Sequence, residues 1–240
     1  MKLRIKFRKF GAVRFIGHLD VMRFFQKAIR RAGIDVAYST GFAPHQIMSF
    51  AAPLSVGVES NGEYMDITVN QAFDSLQMIA TLNRVSVPGI EVSAISILPD
   101  HAENAMSSVV AASYQVLIHA SEGVDRGKIL QELEHRFKSQ ESIIVQKKTK
   151  KGTREMDVKP GIFSFSITAD GTAIELITDA SSAGNVKPTL LMEALSREPI
   201  AGYTYPTDYK FHYVREDLFT AAEDGLVSLS DIGICSRVGA

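Results

Sequence analysis

The spacing of hydrophobic and polar positions changes several times along the first hundred residues. Leu3, Ile5 and Phe7 alternate with basic residues, which is the period-2 pattern of a half-buried strand. From His18 to Ala32 apolar residues recur at helical spacing, and a glycine follows as a C-cap. Further on, the pattern predicts extended segments over 35–39, 63–69 and 90–98 and a helix over 72–82, while the run 48–58 is broken by Pro53 and is expected to be irregular or at an edge. The order β-α-β-β-α-β is that of a ferredoxin-like module.

Residues 113–215 repeat this order with one additional strand. Asp170-Gly171 lies between two alternating runs and is a strong hairpin signal, and Pro188 begins a short helix, where its missing N–H costs nothing. The pattern predicts strands over 114–119, 143–147, 161–168, 173–178 and 203–214, and helices over 125–138 and 189–195. The sequence therefore predicts an α+β protein with two tandem ferredoxin-like modules, 1–98 and 113–215. A small, polar linker joins them, and residues 216–240 form an acidic tail.

The composition is that of an average soluble globular protein, with 45% hydrophobic and 22% charged residues among 240. Cys235 is the single cysteine, so no disulfide within the chain is possible. The N-terminus lacks the apolar stretch of a signal peptide, and no apolar run is long enough to span a bilayer. We therefore expect a cytoplasmic protein with no membrane partner.

Charge is segregated along the chain although the net charge is only −1. Residues 1–50 carry ten basic side chains against two acidic ones, and residues 147–160 carry six against two. Such a chain often presents one basic face to a polyanion. The alternative is that these lysines and arginines only solubilise strands and a loop.

These basic residues, together with the aromatic residues near them, have the chemistry of an RNA-binding surface. Arg23, Lys27, Arg30 and Arg31 fall on one face of the predicted helix, opposite its apolar stripe. Tyr38 and Phe42 could stack on bases, or could cover the core. The candidate RNA-binding residues are Arg14, Arg23, Lys27, Arg30, Arg31, Tyr38, Phe42, Lys147, Lys148, Lys150, Lys151 and Arg154.

His18 and His45 are candidates for acid–base chemistry, because imidazole titrates near neutral pH. The alternative is that His18 caps a helix and His45 is an ordinary loop residue. Gly41 is expected to adopt a positive φ in the turn before Pro44 and to hold His45 close to His18. No metal is expected, because no carboxylate or cysteine lies at ligand spacing.

Several reaction classes lack their sequence signature. The chain has no GxxxxGK[ST] and no GxGxxG, so nucleotide hydrolysis and dinucleotide binding lack a phosphate cradle. One cysteine cannot hold an iron–sulfur cluster through three thiolates, and no GxSxG is present for acyl transfer. We expect no cofactor.

Seven stretches of the chain form a recognisable set: Arg14–Asp20, Ala28–Ala32, Tyr38–His45, Ser49–Leu54, Glu63–Asp66, Asp157–Pro160 and Asn185–Leu191. They resemble a known family, the radical-SAM-linked proteins. That bacterial domain occurs as a separate chain, or fused, beside a cobalamin-binding-type radical SAM protein. Two departures occur: Ala43 stands where the family usually has Asn, and Gln46-Ile47 where it has Pro-Lys. Losing that lysine weakens the case for an anion site in the turn.

The resemblance implies a radical SAM protein as partner rather than a reaction. Together with the basic surface, it leads us to expect an RNA-binding accessory or substrate-presenting subunit in tRNA or rRNA modification. One alternative is a metal-independent RNA-processing enzyme that uses His18 and His45. The other is a scaffold whose basic face meets an acidic protein.

Overall fold

The chain forms two compact units of mixed α and β structure. The computed structural model describes residues 1–71, 74–149 and 152–237, with residues 148 and 149 described by their backbone alone. The first unit contains Met1–Val110 and the segment that begins at Arg215, and the second contains Ala111–Val214. The α+β class predicted from the sequence is confirmed.

Helices and strands are interspersed along both units. In chain order they are β1 (Lys2–Lys9), α1 (His18–Arg31), β2 (Met48–Phe50), β3 (Glu59–Thr68), α2 (Ser75–Val85), β4 (Ile90–Ile97), α3 (Ala105–Ser108), β5 (Val109–Ala120), α4 (Arg126–Ser139), β6 (Ile144–Thr149), β7 (Gly152–Asp157), β8 (Ile162–Ile167), β9 (Ala173–Asp179), α5 (Pro188–Leu195), β10 (Tyr209–Ala222), β11 (Gly225–Ser228) and β12 (Ile234–Arg237). A 3-10 turn over Gly11–Phe15 precedes α1.

The sheet of the first unit is built around β1. Its strand neighbours run β12-β4-β1-β3, followed by the part of β10 after Val214, and β2 lies antiparallel on β3. β1 is antiparallel to both β3 and β4. Arg4 stands opposite Asp66, and Lys6 stands opposite Tyr64. The two faces of β1 therefore carry different chemistry, apolar on one side and charged on the other.

The apolar face of β1 packs against α1 and α2. Leu3, Ile5 and Phe7 are buried, and the Phe7 and Phe25 ring centroids lie 4.6 Å apart. The residues that α1 buries recur at helical spacing and are Val21, Phe25, Ala28 and Ile29. Burying each of the three larger side chains contributes on the order of 1.5–3 kcal/mol. This packing fixes the rotation of α1, so its basic face is turned outward.

The charged face of β1 is covered as well. Arg4 is only 2% exposed, and its guanidinium donates two hydrogen bonds to the Asp66 carboxylate, at 2.8 and 3.0 Å. A third bond reaches the carbonyl oxygen of Glu103 at 3.1 Å, in the segment before α3. Lys6 lies 3.4 Å from the Asp217 carboxylate. The basic residues of this strand are therefore largely neutralised inside the first unit.

The predicted tail is wrong for residues 216–237. They continue β10 and form β11 and β12, and β12 pairs antiparallel with β4 from Ile234↔Ile97 to Arg237↔Ala94. Leu218 and Leu229 are completely buried. The tail was expected because the segment is rich in small and acidic residues. Its few apolar positions nevertheless pack into the first unit.

The second unit has its own sheet and a separate hairpin. The strand neighbours run from the first part of β10 through β5 and β9 to β8, with β9 antiparallel to both β5 and β8. Within the described residues, β6 and β7 pair with each other and with no other strand. The sequence interpretation gave residues 143–147 as a strand of the second module and the basic stretch after them as a loop. The strand belongs instead to this separate hairpin, and the loop is wrong for residues 152–155, which lie in β7. Ile143 and Val145 are buried, so this segment shows the alternation of a sheet strand although it does not pair with the sheet of the second unit.

The predicted linker is also partly structured. α3 and the start of β5 occupy its second half, and Asn104 caps α3 by accepting a hydrogen bond from the backbone N–H of Met106. The predicted start of α2 at residue 72 lies outside the described residues. In the part of the chain that the structure describes, every helix is too short or too polar to cross a bilayer.

Candidate nucleic-acid interface

A short hairpin over residues 37–47 stands beside α1. The Ser39 N–H donates to the His45 carbonyl at 2.8 Å, and the Ile47 N–H donates to the Ala37 carbonyl at 2.8 Å. The residues at its tip, 40–44, are all exposed. Gly41 has a φ of +121°, as the sequence predicted, and an L-residue rarely adopts that conformation. The chain reversal therefore depends on this glycine.

The hairpin exposes two aromatic side chains. Phe42, at the tip, is fully exposed (111%), and Tyr38 is half exposed (51%). The alternative that these rings cover the core is therefore wrong for Phe42. Phe50 does belong to the core, since its ring centroid lies 6.0 Å from that of Phe25. Because the Phe42 side chain is fully exposed, packing in the core does not explain why a phenylalanine occupies this position.

The basic face of α1 is open to solvent. Arg23, Lys27, Arg30 and Arg31 are all exposed, as the helical periodicity predicted. Arg23 lies 3.4 Å from Asp20, an exposed contact that contributes little. Among the described residues, the other three cations have no carboxylate within ion-pair distance. Their positive charge is therefore available to an external anion.

One contact ties the hairpin to this helix. The Gln46 side-chain amide donates a hydrogen bond to the backbone carbonyl of Gln26 at 3.3 Å. On a helix, the neighbours of residue 26 at three and four positions away include 23 and 30, which are two of the four basic residues. The exposed aromatic residues and the exposed cations therefore belong to adjacent elements.

Arg14 does not share this surface. It lies in the 3-10 turn before α1, and its guanidinium is 3.0 Å from the Glu59 carboxylate and covers the ring of Phe15. The Gly11 N–H also donates to Glu59, at 2.9 Å. Arg14 thus closes a turn, and its charge is already compensated.

The other basic cluster lies on the β6–β7 hairpin, in the second unit. Lys147 stands directly opposite Arg154, and Gln146 stands opposite Glu155. Like charges at directly opposite positions destabilise a strand pair, so a bound anion would relieve this one. The backbone of Lys148 faces Thr153. Lys150 and Lys151 lie outside the described residues.

The two histidines are not brought together. His18, the first residue of α1, places its ring 5.2 Å from that of Phe50, edge to face. His45 Nδ1 lies 2.8 Å from the Ser39 hydroxyl, at the base of the hairpin tip. Each ring thus contacts a different element, His18 the strand β2 and His45 the hairpin, and within the described residues the two rings make no contact with each other. The acid–base pair therefore has no support in the geometry. The described residues also contain no group of three or more His, Cys, Asp or Glu side chains able to hold a metal.

A buried charged cluster escaped the sequence analysis. The Arg215 guanidinium donates to the Glu63 carboxylate at 2.7 Å, and both side chains are buried. Lys9, also buried, donates to the carbonyl of Ile16 at 2.9 Å. Burial lowers the pKa of Lys9, and the nearby Glu63 carboxylate partly offsets this. The alternation of side chains along a strand does not by itself indicate whether Arg215 is buried or exposed. Lys9 continues the alternation of Leu3, Ile5 and Phe7 and therefore lies on the buried face of β1, where the sequence analysis did not place it.

The comparison with known proteins identifies a family. The chain belongs to a family described as an uncharacterised protein conserved in bacteria (DUF2344), whose sequence profile matches residues 2–188. Among solved structures, one similar chain belongs to a Cbf5-Nop10-Gar1 complex, at 9% identity and a TM-score of 0.49. The match covers 90% of this chain and 48% of that one, so this protein spans about half the length of that chain. No curated protein matches the sequence significantly.

Proposed function

We propose that this protein binds RNA through the basic face of α1 and the neighbouring aromatic hairpin. The observation that carries the proposal is the fully exposed ring of Phe42 on a hairpin tied to a helix with uncompensated cations. Cationic side chains bind phosphates whatever the RNA sequence is, and an exposed aromatic ring offers a face on which a base can stack. An acidic protein surface would use the cations but would leave the ring without a partner.

The electrostatics of α1 favours a polyanion over a single anion. Arg23, Lys27 and Arg30 recur along about two turns of one face, and Asp20 is the only acid within the helix. Spaced cations of this kind neutralise successive phosphates and release their counterions, which makes binding strongly dependent on salt. Single-stranded RNA combines spaced phosphates with unstacked bases, so it suits both parts of the surface.

The role proposed is that of an accessory or substrate-presenting subunit for a radical SAM enzyme. Support for that partner is limited to the resemblance of the N-terminal stretches, above all Arg14–Asp20 and Tyr38–His45. Co-purification of the two proteins, with or without RNA, tests it. A radical SAM enzyme that neither binds this chain nor needs it would remove this part of the proposal.

We also propose that each unit is a ferredoxin-like module. In the first unit the order β4-β1-β3-β2 supports this, because a split βαβ arrangement places strand neighbours in that order. In the second, β10-β5-β9-β8 has the same form if the β6–β7 hairpin is treated as an insertion. A solved structure in which either sheet has another order would contradict the assignment.

RNA binding measured over a range of salt concentrations tests the main proposal. Changing Lys27, Arg30 and Arg31 together to Ala should weaken binding to single-stranded RNA and flatten the log–log salt slope by about 0.7 per lost phosphate contact. The matched control changes three exposed cations of α4, Arg126, Lys128 and Lys138, to Ala. Equal losses in both variants, or no salt-dependent binding by the unaltered protein, would overturn the proposal.

A further inference from the structure

A cleft of about 380 Å³ with mixed polar and apolar walls lies in the first unit, on the other side of the aromatic hairpin from α1. Its walls come from the start of β1, the hairpin, the β2–β3 pair and the segment between β4 and α3. Extended residues alternate in direction, so Gln46 points to α1 while its neighbours His45 and Ile47 line the cleft. The hairpin thus has the basic helix on one side and the cleft on the other.

The wall of the cleft is held in place by buried charge. Asp66 accepts two hydrogen bonds from the buried Arg4 guanidinium and a third, at 2.8 Å, from the backbone N–H of Ala105. On the β2 side, the Ser49 hydroxyl donates to the Asn104 side chain at 3.0 Å. These bonds fix the segment before α3 against β3 and β2, so the cleft is preorganised.

Other groups in the cleft have hydrogen-bonding capacity to spare. The side chains of Lys2, Thr68 and Glu103 line it and make no hydrogen bond within the described part of the chain. The Ser39 hydroxyl accepts the backbone N–H of His45 at 3.1 Å and lies 2.8 Å from His45 Nδ1, so it holds the ring by two hydrogen bonds. The other ring nitrogen, Nε2, can donate or accept according to the tautomer. The cleft therefore offers a cation, a carboxylate, a hydroxyl and an imidazole nitrogen.

We propose that this cleft takes one unstacked nucleotide of the RNA that binds α1, and reads the edge of its base. This inference rests on the proposed function and names its substrate as single-stranded or looped RNA with a base turned out. The edge of a nucleobase carries both hydrogen-bond donors and acceptors, so a cleft that offers both can recognise it. The volume of the cleft is at the lower end of the range for small-ligand sites. A strand held by α1 has only to pass the short hairpin, where Phe42 can stack on the adjoining base.

Binding of four homopolymeric oligonucleotides, each about ten nucleotides long, tests the inference. The unaltered protein should prefer one base. The double variant Thr68→Val with Glu103→Gln should reduce that preference at least about fivefold, because each lost hydrogen bond is worth roughly that factor. Its salt slope should not change, since the cations of α1 remain. Exposed positions in the second unit supply a control with the same chemical changes, Thr207→Val with Glu141→Gln. If the double variant does not fold, Lys2→Ala and Glu103→Gln are tested singly.

The possible outcomes separate the two proposals. RNA binding that shows no base preference, or a preference that survives the cleft variants, would overturn the inference and leave RNA binding intact. Absence of RNA binding would overturn both. Nucleoside monophosphates are tested as the last set of ligands. A free nucleotide that binds as tightly as the oligonucleotide would show that the cleft does not bind a nucleotide as part of an RNA chain.

Discussion

At the scale of single residues, the surface proposed to bind RNA is defined by what it leaves exposed. Phe42 and the cations of α1 are exposed, and among the described residues the one ion pair of these cations is the exposed Arg23–Asp20 contact, whereas Phe25, on the same helix, is completely buried. Residues exposed in this way can be changed without unfolding the protein. Their contribution to binding can therefore be measured separately from their contribution to stability.

Phe42→Ala should weaken binding to single-stranded RNA by about 1–3 kcal/mol if the ring stacks on a base. The free energy of unfolding should change by less than about 0.5 kcal/mol, because the ring is fully exposed. Fluorescence anisotropy and urea titration measure the two quantities. Phe163→Ala, which removes an exposed ring of the second unit, is the control for binding. Equal affinities of Phe42→Ala and the unaltered protein would exclude stacking.

Lys9 is the opposite case, a buried cation whose pKa is lowered by desolvation. The unfolded chain keeps its proton up to its ordinary pKa near 10.4, while the folded chain releases it earlier. Between those two values the unfolded state binds more protons, so this residue adds stability as pH rises and loses it as pH falls.

Lys9→Met should therefore remove part of the rise in stability toward alkaline pH. It should also cost about 1–3 kcal/mol near neutral pH, because the carbonyls of Arg14 and Ile16 lose their donor. Urea midpoints of both proteins between about pH 7 and pH 10 provide the measurement. Parallel pH profiles would show that the folded pKa of Lys9 is not lowered.

At the scale of elements, hydrophobic periodicity was sufficient for several elements that bury one face. It predicted β1 and α1, the exposure of the basic stripe on α1, and the short helix that begins at Pro188. Gly41 was also predictable, because a tight reversal before a proline needs a positive φ. Contacts distant in sequence were not predictable. The Gln46–Gln26 bond and the Arg4–Asp66 pair depend on three-dimensional packing that periodicity does not encode.

The hairpin over 37–47 gives a prediction at this scale. Gly41→Ala places a side chain at a φ of +121°, which costs on the order of 1–3 kcal/mol locally and should shift Phe42. RNA affinity should fall, and adding Phe42→Ala to Gly41→Ala should weaken binding little further, since both act through one ring. A double-mutant cycle measures this coupling. Fully additive losses would show that the glycine acts independently of Phe42.

At the scale of the whole molecule, the chain returns to its first unit after completing the second. Residues from Arg215 onward supply the last part of β10, which neighbours β3, and β12, which pairs with the edge of β4. They also supply Arg215, the partner of buried Glu63. The first unit is therefore built from both ends of the chain. A sequence interpretation that takes modules in order cannot detect this.

A pair of leucines in this returning segment provides the sharpest test of that organisation. Leu218 is completely buried, whereas Leu226, eight residues later, is 40% exposed. Leu218→Ala should lower the free energy of unfolding by about 2–5 kcal/mol, through lost burial and the cavity left behind. Leu226→Ala should cost less than about 1 kcal/mol, because much of its side chain already contacts water. Urea unfolding of both variants compares the two costs directly. If residues 216–240 were a solvated tail, both substitutions would be equally harmless, and that result would contradict the place of this segment in the first unit.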